Sequence, residues 1–219
     1  MNETGFTLSD MEFSTLAQEI IDGHLDNVID EVQRCLAKGV SPQEMMNDHL
    51  IPAMGEVGRL FEEGEYFVPE LMISARAMQS AMKVLNPLLS GSGVQKVGRV
   101  VIGTVKGDFH DIGKNLVAAM LEGGGFDVVD LGVDVSADQF AEAAQKQAGT
   151  LVAMSALLTT TMPQMKMVIE KLEANGLRDT SKVIIGGAPV THEFAKMIGA
   201  DGYSDNASAA VTLAKSFFA

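Results

Sequence analysis

At 219 residues and a net charge of −13, the chain can hold one large domain or two small ones. It is too acidic for a nucleic-acid backbone as partner, because Lys and Arg make that contact. Apolar residues at 47% support a true core, no apolar run reaches the roughly 18 residues of a membrane span, and no basic region precedes an apolar stretch as in a secretory signal. A single cysteine, Cys35, excludes an internal disulfide and fits a reducing cytoplasm.

Residues up to Leu89 lack strand alternation and read as helices. Ser14 to Ile21 starts one, and Leu25 to Ala37 carries Leu25, Val28, Ile29, Val32 and Leu36 at helical spacing, with Cys35 as a small core residue. Ser41-Pro42-Gln43-Glu44 is a helix start, with Pro in the first turn and Glu three residues after the Ser. Val68-Pro69-Glu70 opens a fourth helix, running through Met72, Ala75, Met78, Met82 and Leu85. The four predict a bundle. Residues 1–90 hold 5 basic and 15 acidic groups, so most of the acidity lies here. It reads either as a solvated face or as a surface for a basic protein partner.

Ser90-Gly91-Ser92-Gly93 reads as a flexible linker, placing a helical domain at 1–90 and a second domain at 91–219. Strands are predicted at Val100–Thr104, Asp127–Leu131, Thr150–Ser155, Lys182–Gly186 and Gly202–Ser204. Helices are predicted at Ile112–Gly123, Ala137–Gln147, Met162–Asn175, Glu193–Ile198 and Ala207–Phe218. Apolar strands alternating with helices mean a parallel sheet covered on both faces. Five such units favour a flavodoxin-like, Rossmann-type α/β sheet in the order 2-1-3-4-5. The loops after strands 1, 3 and 4 then meet at one edge, where open α/β sheets bind ligands. Those loops hold Gly107-Asp108-Phe109-His110-Asp111-Ile112-Gly113, then Ser155 to Thr161, then Gly186-Gly187-Ala188-Pro189. A His two residues after a carboxylate suits a metal ligand oriented by a second group.

The ordered set resembles a known domain. Asp108, His110 and Gly113 are followed by Ser155 and Leu157, the Ser 45 residues after His110, and then by Gly186-Gly187, 31 residues after the Ser. This resembles the cobalamin-binding domain in which a protein His replaces the cofactor's own base on cobalt. Gly58 to Glu70 resembles part of the helical cap that precedes this domain in methionine synthase and in small corrinoid proteins. The resemblance spans about residues 15–215 and implies cobalamin or a related corrinoid as cofactor. It gives His110 the lower axial position on cobalt through Nε2, Asp108 the Nδ1 proton, and Thr161 a hydroxyl bond to Asp108. A Ser is usual at the Thr161 position in methionine synthase. Asp111, Ile112 and Gly113 join the cofactor contact. The displaced nucleotide tail is implied to enter a slot where Gly103, Gly107, Gly113, Gly186 and Gly187 give room. Ser155, Leu157 and Thr159 would line it, with Tyr203 at its far end and Ser155 bonding a base nitrogen. Phe61 and Val68 match cap positions over the methyl group. Taken alone, Gly186-Gly187 reads equally as a strand-to-helix turn, and Phe61 and Val68 read as bundle core.

A catalytic barrel needs about 200 residues or more, so a cap and cofactor domain are not expected to complete a reaction cycle alone. The resemblance implies a methyl-carrying corrinoid protein. It would accept a methyl group on Co(I) from a substrate-specific methyltransferase. It would then donate that group from methyl-Co(III) to a second methyltransferase with a thiol or tetrahydrofolate acceptor. A reductive activator would rescue oxidised cobalt, His110 would leave and rejoin cobalt each turnover, and Ser90–Gly93 would be the hinge of the cap. The methyl donor (methylamine, methanol, aryl methyl ether, glycine betaine or thioether) stays open. The competing reading is a cobalamin-dependent sensor or regulator. That needs a DNA-binding module, which the acidic first region opposes. A phosphoacceptor receiver needs an Asp where Ser155 stands, and a flavodoxin needs a hydroxyl-rich phosphate loop where Gly107-Asp108-Phe109-His110 stands. His24, His49 and His192 read as surface or satisfied helix residues.

Overall fold

The computed structural model describes residues 8–89 and 96–218, with side chains from Thr15 onward. The Ser90–Gly93 linker lies outside the described residues. The chain divides near Lys96 into two compact units.

The first unit comprises α1 (Leu8–Ile21), α2 (Leu25–Ala37), α3 (Pro42–Glu44), a π-helical stretch (Met45–Leu50), α4 (Ile51–Glu62) and α5 (Val68–Leu89). The third predicted helix is thus one rod from Pro42 to Glu62 that widens at Met45–Leu50. Its start is capped as the sequence predicts, with Ser41 Oγ accepting the Glu44 N–H at 3.2 Å. Leu16, Ile20, Val28, Val32, Leu50, Val57, Leu71 and Leu85 are sealed from solvent, and Met45, Met46, Met54 and Met78 fill the space between them. Cys35 is buried in the same core. Ser74 Oγ and the Tyr66 hydroxyl donate to the Ile21 carbonyl at 2.8 and 3.2 Å, closing the end of α1. His24 precedes α2 with its ring 2.8 Å from Glu19, while His49 lies in the π stretch and His192 is the first residue of a later helix, His192–Ile198.

The second unit alternates β1 (Arg99–Thr104), α6 (Ile112–Gly123), β2 (Asp127–Asp130), α7 (Ala137–Gln145), β3 (Leu151–Ser155) and α8 (Pro163–Ala174). It continues with β4 (Lys182–Gly186), α9 (His192–Ile198), β5 (Gly202–Tyr203) and α10 (Ala207–Ser216). All pairings are parallel and the order is β2-β1-β3-β4-β5, as predicted. Side-chain alternation divides the core. Val101 of β1 and Val105 just beyond its end pack with Phe140, Met165, Val168 and Leu172 from α7 and α8. Val100 and Ile102 face the other way, to Ala118, Leu121 and Ala214 from α6 and α10. Both faces are covered, which accounts for the continuous apolar strands.

Strand register positions the site. Thr104 lies beside Ser155, and Ser155 beside Gly186, so the chain leaves β1, β3 and β4 from a single row. β2 stops one residue before its predicted end. Asp130 Oδ1 takes the Gly132 N–H at 2.8 Å, and Gly132 turns at a φ of 84°. β5 has two residues, one fewer than predicted, though the Asp201 and Ser204 amides still bond β4 at 2.8 and 3.2 Å.

Candidate functional site

The loop after β1 is built around one buried carboxylate. Gly107 takes a left-handed φ of 80°, and the Asp108 N–H returns to the Val105 carbonyl at 3.1 Å. Thr104 Oγ1 donates to the His110 carbonyl at 2.8 Å, fixing the loop's far end. Asp108 has no exposed surface. Its Oδ1 lies 2.7 Å from His110 Nδ1 and accepts the His110 N–H at 3.2 Å. Its Oδ2 accepts the Leu157 and Leu158 N–H groups at 2.8 and 3.3 Å and the Thr161 hydroxyl at 2.7 Å. The Thr161 oxygen is also 2.9 Å from the Leu158 carbonyl, but its one proton is better used on the charged acceptor.

Asp108 therefore ties the β1 loop to the β3 loop. Burial pushes its carboxyl up. The bonds from the His110 ring, Leu157 N–H, Thr161 hydroxyl and His110 N–H outweigh that and hold it well below the usual carboxylate range. An ionised carboxylate only accepts, so His110 Nδ1 carries a proton, which in the neutral ring leaves the lone pair on Nε2. The His110 side chain is 51% exposed. The structure thus presents one oriented imidazole nitrogen at the ligand-binding edge of the sheet. A metal bound through that single nitrogen must bring its other ligands with it, as in a macrocycle. Phe109, Ile112, Leu157 and Leu158 are exposed apolar side chains flanking His110 or its Asp108 anchor, and a flat apolar ring system would cover them. The residues present fit a corrinoid.

The other predicted site residues fall into groups. Ser155, half-buried, ends β3, and its carbonyl accepts the Val105 N–H at 3.0 Å. Leu157 gives its amide to Asp108 and keeps its side chain exposed. Thr159 is exposed on the same loop, and Asp111 is exposed and bonded to Asn115 Nδ2 at 3.2 Å. Gly113 faces open space. Gly187, at a φ of 129°, could not carry a Cβ, which would sit 1.9 Å from the Ala156 carbonyl oxygen. A Cβ on Gly186 would reach 3.0 Å from the Ser204 carbonyl oxygen. The Gly-Gly pair thus lets the β4 loop lie against the β3 and β5 loops. Gly103 has a packing cause: a Cβ there would lie 2.9 Å from the Phe140 ring, inside the core. Tyr203 packs against the same core. Phe61 is half-buried in α4, and Val68, at 43% exposed, is not bundle core.

Two residues of this edge escape sequence reasoning. Lys114 in the first turn of α6 is buried, ion-paired with Asp130 and 2.6 Å from Asn115 Oδ1. Asp134, between β2 and α7, bonds the Gly107 amide. A helical Lys and a loop Asp carry no local sign of such pairing.

This geometry is that of a B12-binding domain. Residues 98–212 match the B12 binding domain model, and residues 13–86 match a second B12 binding domain model. The chain belongs to this family. It is 45% identical over 206 residues to dimethylamine corrinoid protein 1 of Methanosarcina acetivorans, covering 93% of this chain and 96% of that one. A cobalamin-binding protein of Desulfitobacterium hafniense superposes with a TM-score of 0.76 at 34% identity, covering 94% of this chain and 98% of that one. The methanol:cobalamin methyltransferase complex of Methanosarcina barkeri contains a chain that superposes at 0.85 with 33% identity, covering 99% of this chain and 86% of that one.

Proposed function

We propose that the protein is a corrinoid carrier that shuttles a methyl group between two methyltransferases. The observation that carries this is the buried Asp108 holding His110 with Nε2 free to ligate, at the edge where three sheet loops meet. When bound, the corrinoid supplies a cobalt centre able to take and give up a methyl group. His110 would hold the cobalt through Nε2. Asp108 accepts the Nδ1 proton and so raises the ring's donor strength, and Thr161 with two backbone amides keeps Asp108 ionised. Ile112 and Leu157 give apolar surface to the ring, and Gly113, Ser155, Thr159, Gly186 and Gly187 give room and polar contacts to the tail. Phe61 and Val68 of the helical unit keep the shielding role that the family resemblance assigns them.

The partners in this reading are a substrate-specific methyltransferase, a second enzyme that passes the methyl group to a thiol or tetrahydrofolate, and a reductive activator, all in the cytoplasm. Dimethylamine leads among donors because of the 45% identical relative named for it. The test is to reduce the loaded protein anaerobically and add dimethylamine with a dimethylamine-specific methyltransferase, beside matching methanol and monomethylamine pairs. Methylation of the corrinoid by the dimethylamine pair supports the reading in full. Methylation by another pair alone keeps the carrier and changes the donor. Methylation by none contradicts the carrier.

A further inference from the structure

We propose that Asp134 is a positioning residue that clamps the His110 loop from the β2 side, opposite the Asp108 network on the β3 side. The proposal rests on the axial role given above to His110. Asp134 is the one non-glycine residue with a left-handed backbone among the described residues, at a φ of 55°. That conformation is unfavourable for any residue with a Cβ, though Asp tolerates it better than most. From it, Asp134 reaches two neighbouring residues of the His loop. Its Oδ1 accepts the Gly107 N–H at 2.7 Å, and its own N–H donates to the Asp108 carbonyl at 3.0 Å.

The stem that presents Asp134 is fixed independently of its side chain. The Leu131 N–H bonds Ile102 at 2.8 Å, the Thr104 N–H bonds Gly132 at 2.9 Å, and the Val135 N–H bonds Thr104 at 2.9 Å. Asp130 pins the start of the stem through buried Lys114. The fold therefore has no need of the Asp134 carboxylate, which is an exposed residue's side chain spent on one amide of the ligand loop. The left-handed backbone alone would favour Gly. A side chain kept there against that preference serves the loop it grips.

Asp134→Gly and Asp134→Asn separate the two roles. Each full-length variant is reconstituted with hydroxocobalamin beside wild type and His110→Ala. The His-coordinated fraction is read from the cobalt(II) EPR splitting by an axial nitrogen. Exchange of the Gly107 amide is followed in the apoproteins. Asp134→Gly should unfold in urea at or above the wild-type midpoint, yet lose His coordination by roughly 10-fold, the lower end for groups that orient a metal ligand. Its Gly107 amide should exchange faster, and Asp134→Asn, which keeps an acceptor, should restore both readouts. The proposal is overturned if Asp134→Gly coordinates cobalt as wild type does, if it fails to fold, or if Asn fails to rescue. A wild type whose signal does not differ from His110→Ala would instead remove the axial role itself, and the proposal with it.

Discussion

Asp108 has no exposed surface and receives three backbone amides, a hydroxyl and an imidazole, so its charge is a structural element as well as an electronic one. Its folded-state pKa lies below the unfolded value of about 3.9. Its stabilisation is therefore present above about pH 4 and is lost as pH falls further toward the folded value. Asp108→Asn should cost about 2 kcal/mol or more at pH 7, because an amide cannot accept from every donor that faces it. In urea unfolding of the apoprotein, the gap between the two proteins should narrow below about pH 4. A gap that widens on acidification would contradict the assignment. Thr161→Val keeps shape but removes the hydroxyl and should cost about 1 kcal/mol, while Thr161→Ser should lose little of that bond. Equal losses in the same unfolding assay would take the hydroxyl out of the network. Asp108 and His110 are legible in sequence because a metal-ligating His suits a carboxylate two residues away, whereas Thr161 is reached only through the family resemblance. Lys114 and Asp134 are not legible, because only pairings with residues far along the chain, Asp130 and Gly107, distinguish them from solvated surface.

Elements bring these residues together by register. Thr104, Ser155 and Gly186 share one row, so three loops far apart in sequence leave the sheet side by side. Strand positions and order are readable from sequence because apolar runs alternate with helical patterns, and parallel pairing leaves few topologies. The π stretch at Met45–Leu50 is not readable, since its apolar residues fit an α-helical period almost as well. Gly103 misleads in a different way. A glycine in a strand signals a close approach, but sequence does not say that the approaching atoms belong to Phe140. Gly187 has a sharper demand. Gly187→Ala would force a left-handed backbone and a contact near 1.9 Å with the Ala156 carbonyl oxygen. It should destabilise the apoprotein by roughly 2 kcal/mol or more and weaken corrinoid binding, both measurable by titration and unfolding. An unchanged unfolding midpoint would show that the β4 loop shifts freely.

On the scale of the whole molecule, a helical unit and a parallel-sheet unit each have their own apolar core. Ten of the thirteen net negative charges lie in residues 1–90, so under the proposed carrier function docking to a basic methyltransferase surface should weaken as salt rises. Among the described residues no helix is long and apolar enough to cross a membrane.

Anaerobic reconstitution with hydroxocobalamin, wild type beside His110→Ala, tests the central claim most directly. The account predicts stoichiometric binding and an absorption spectrum that changes when His110 is removed. Identical spectra from the two proteins would take His110 off the cobalt, and binding by neither would contradict the corrinoid carrier altogether.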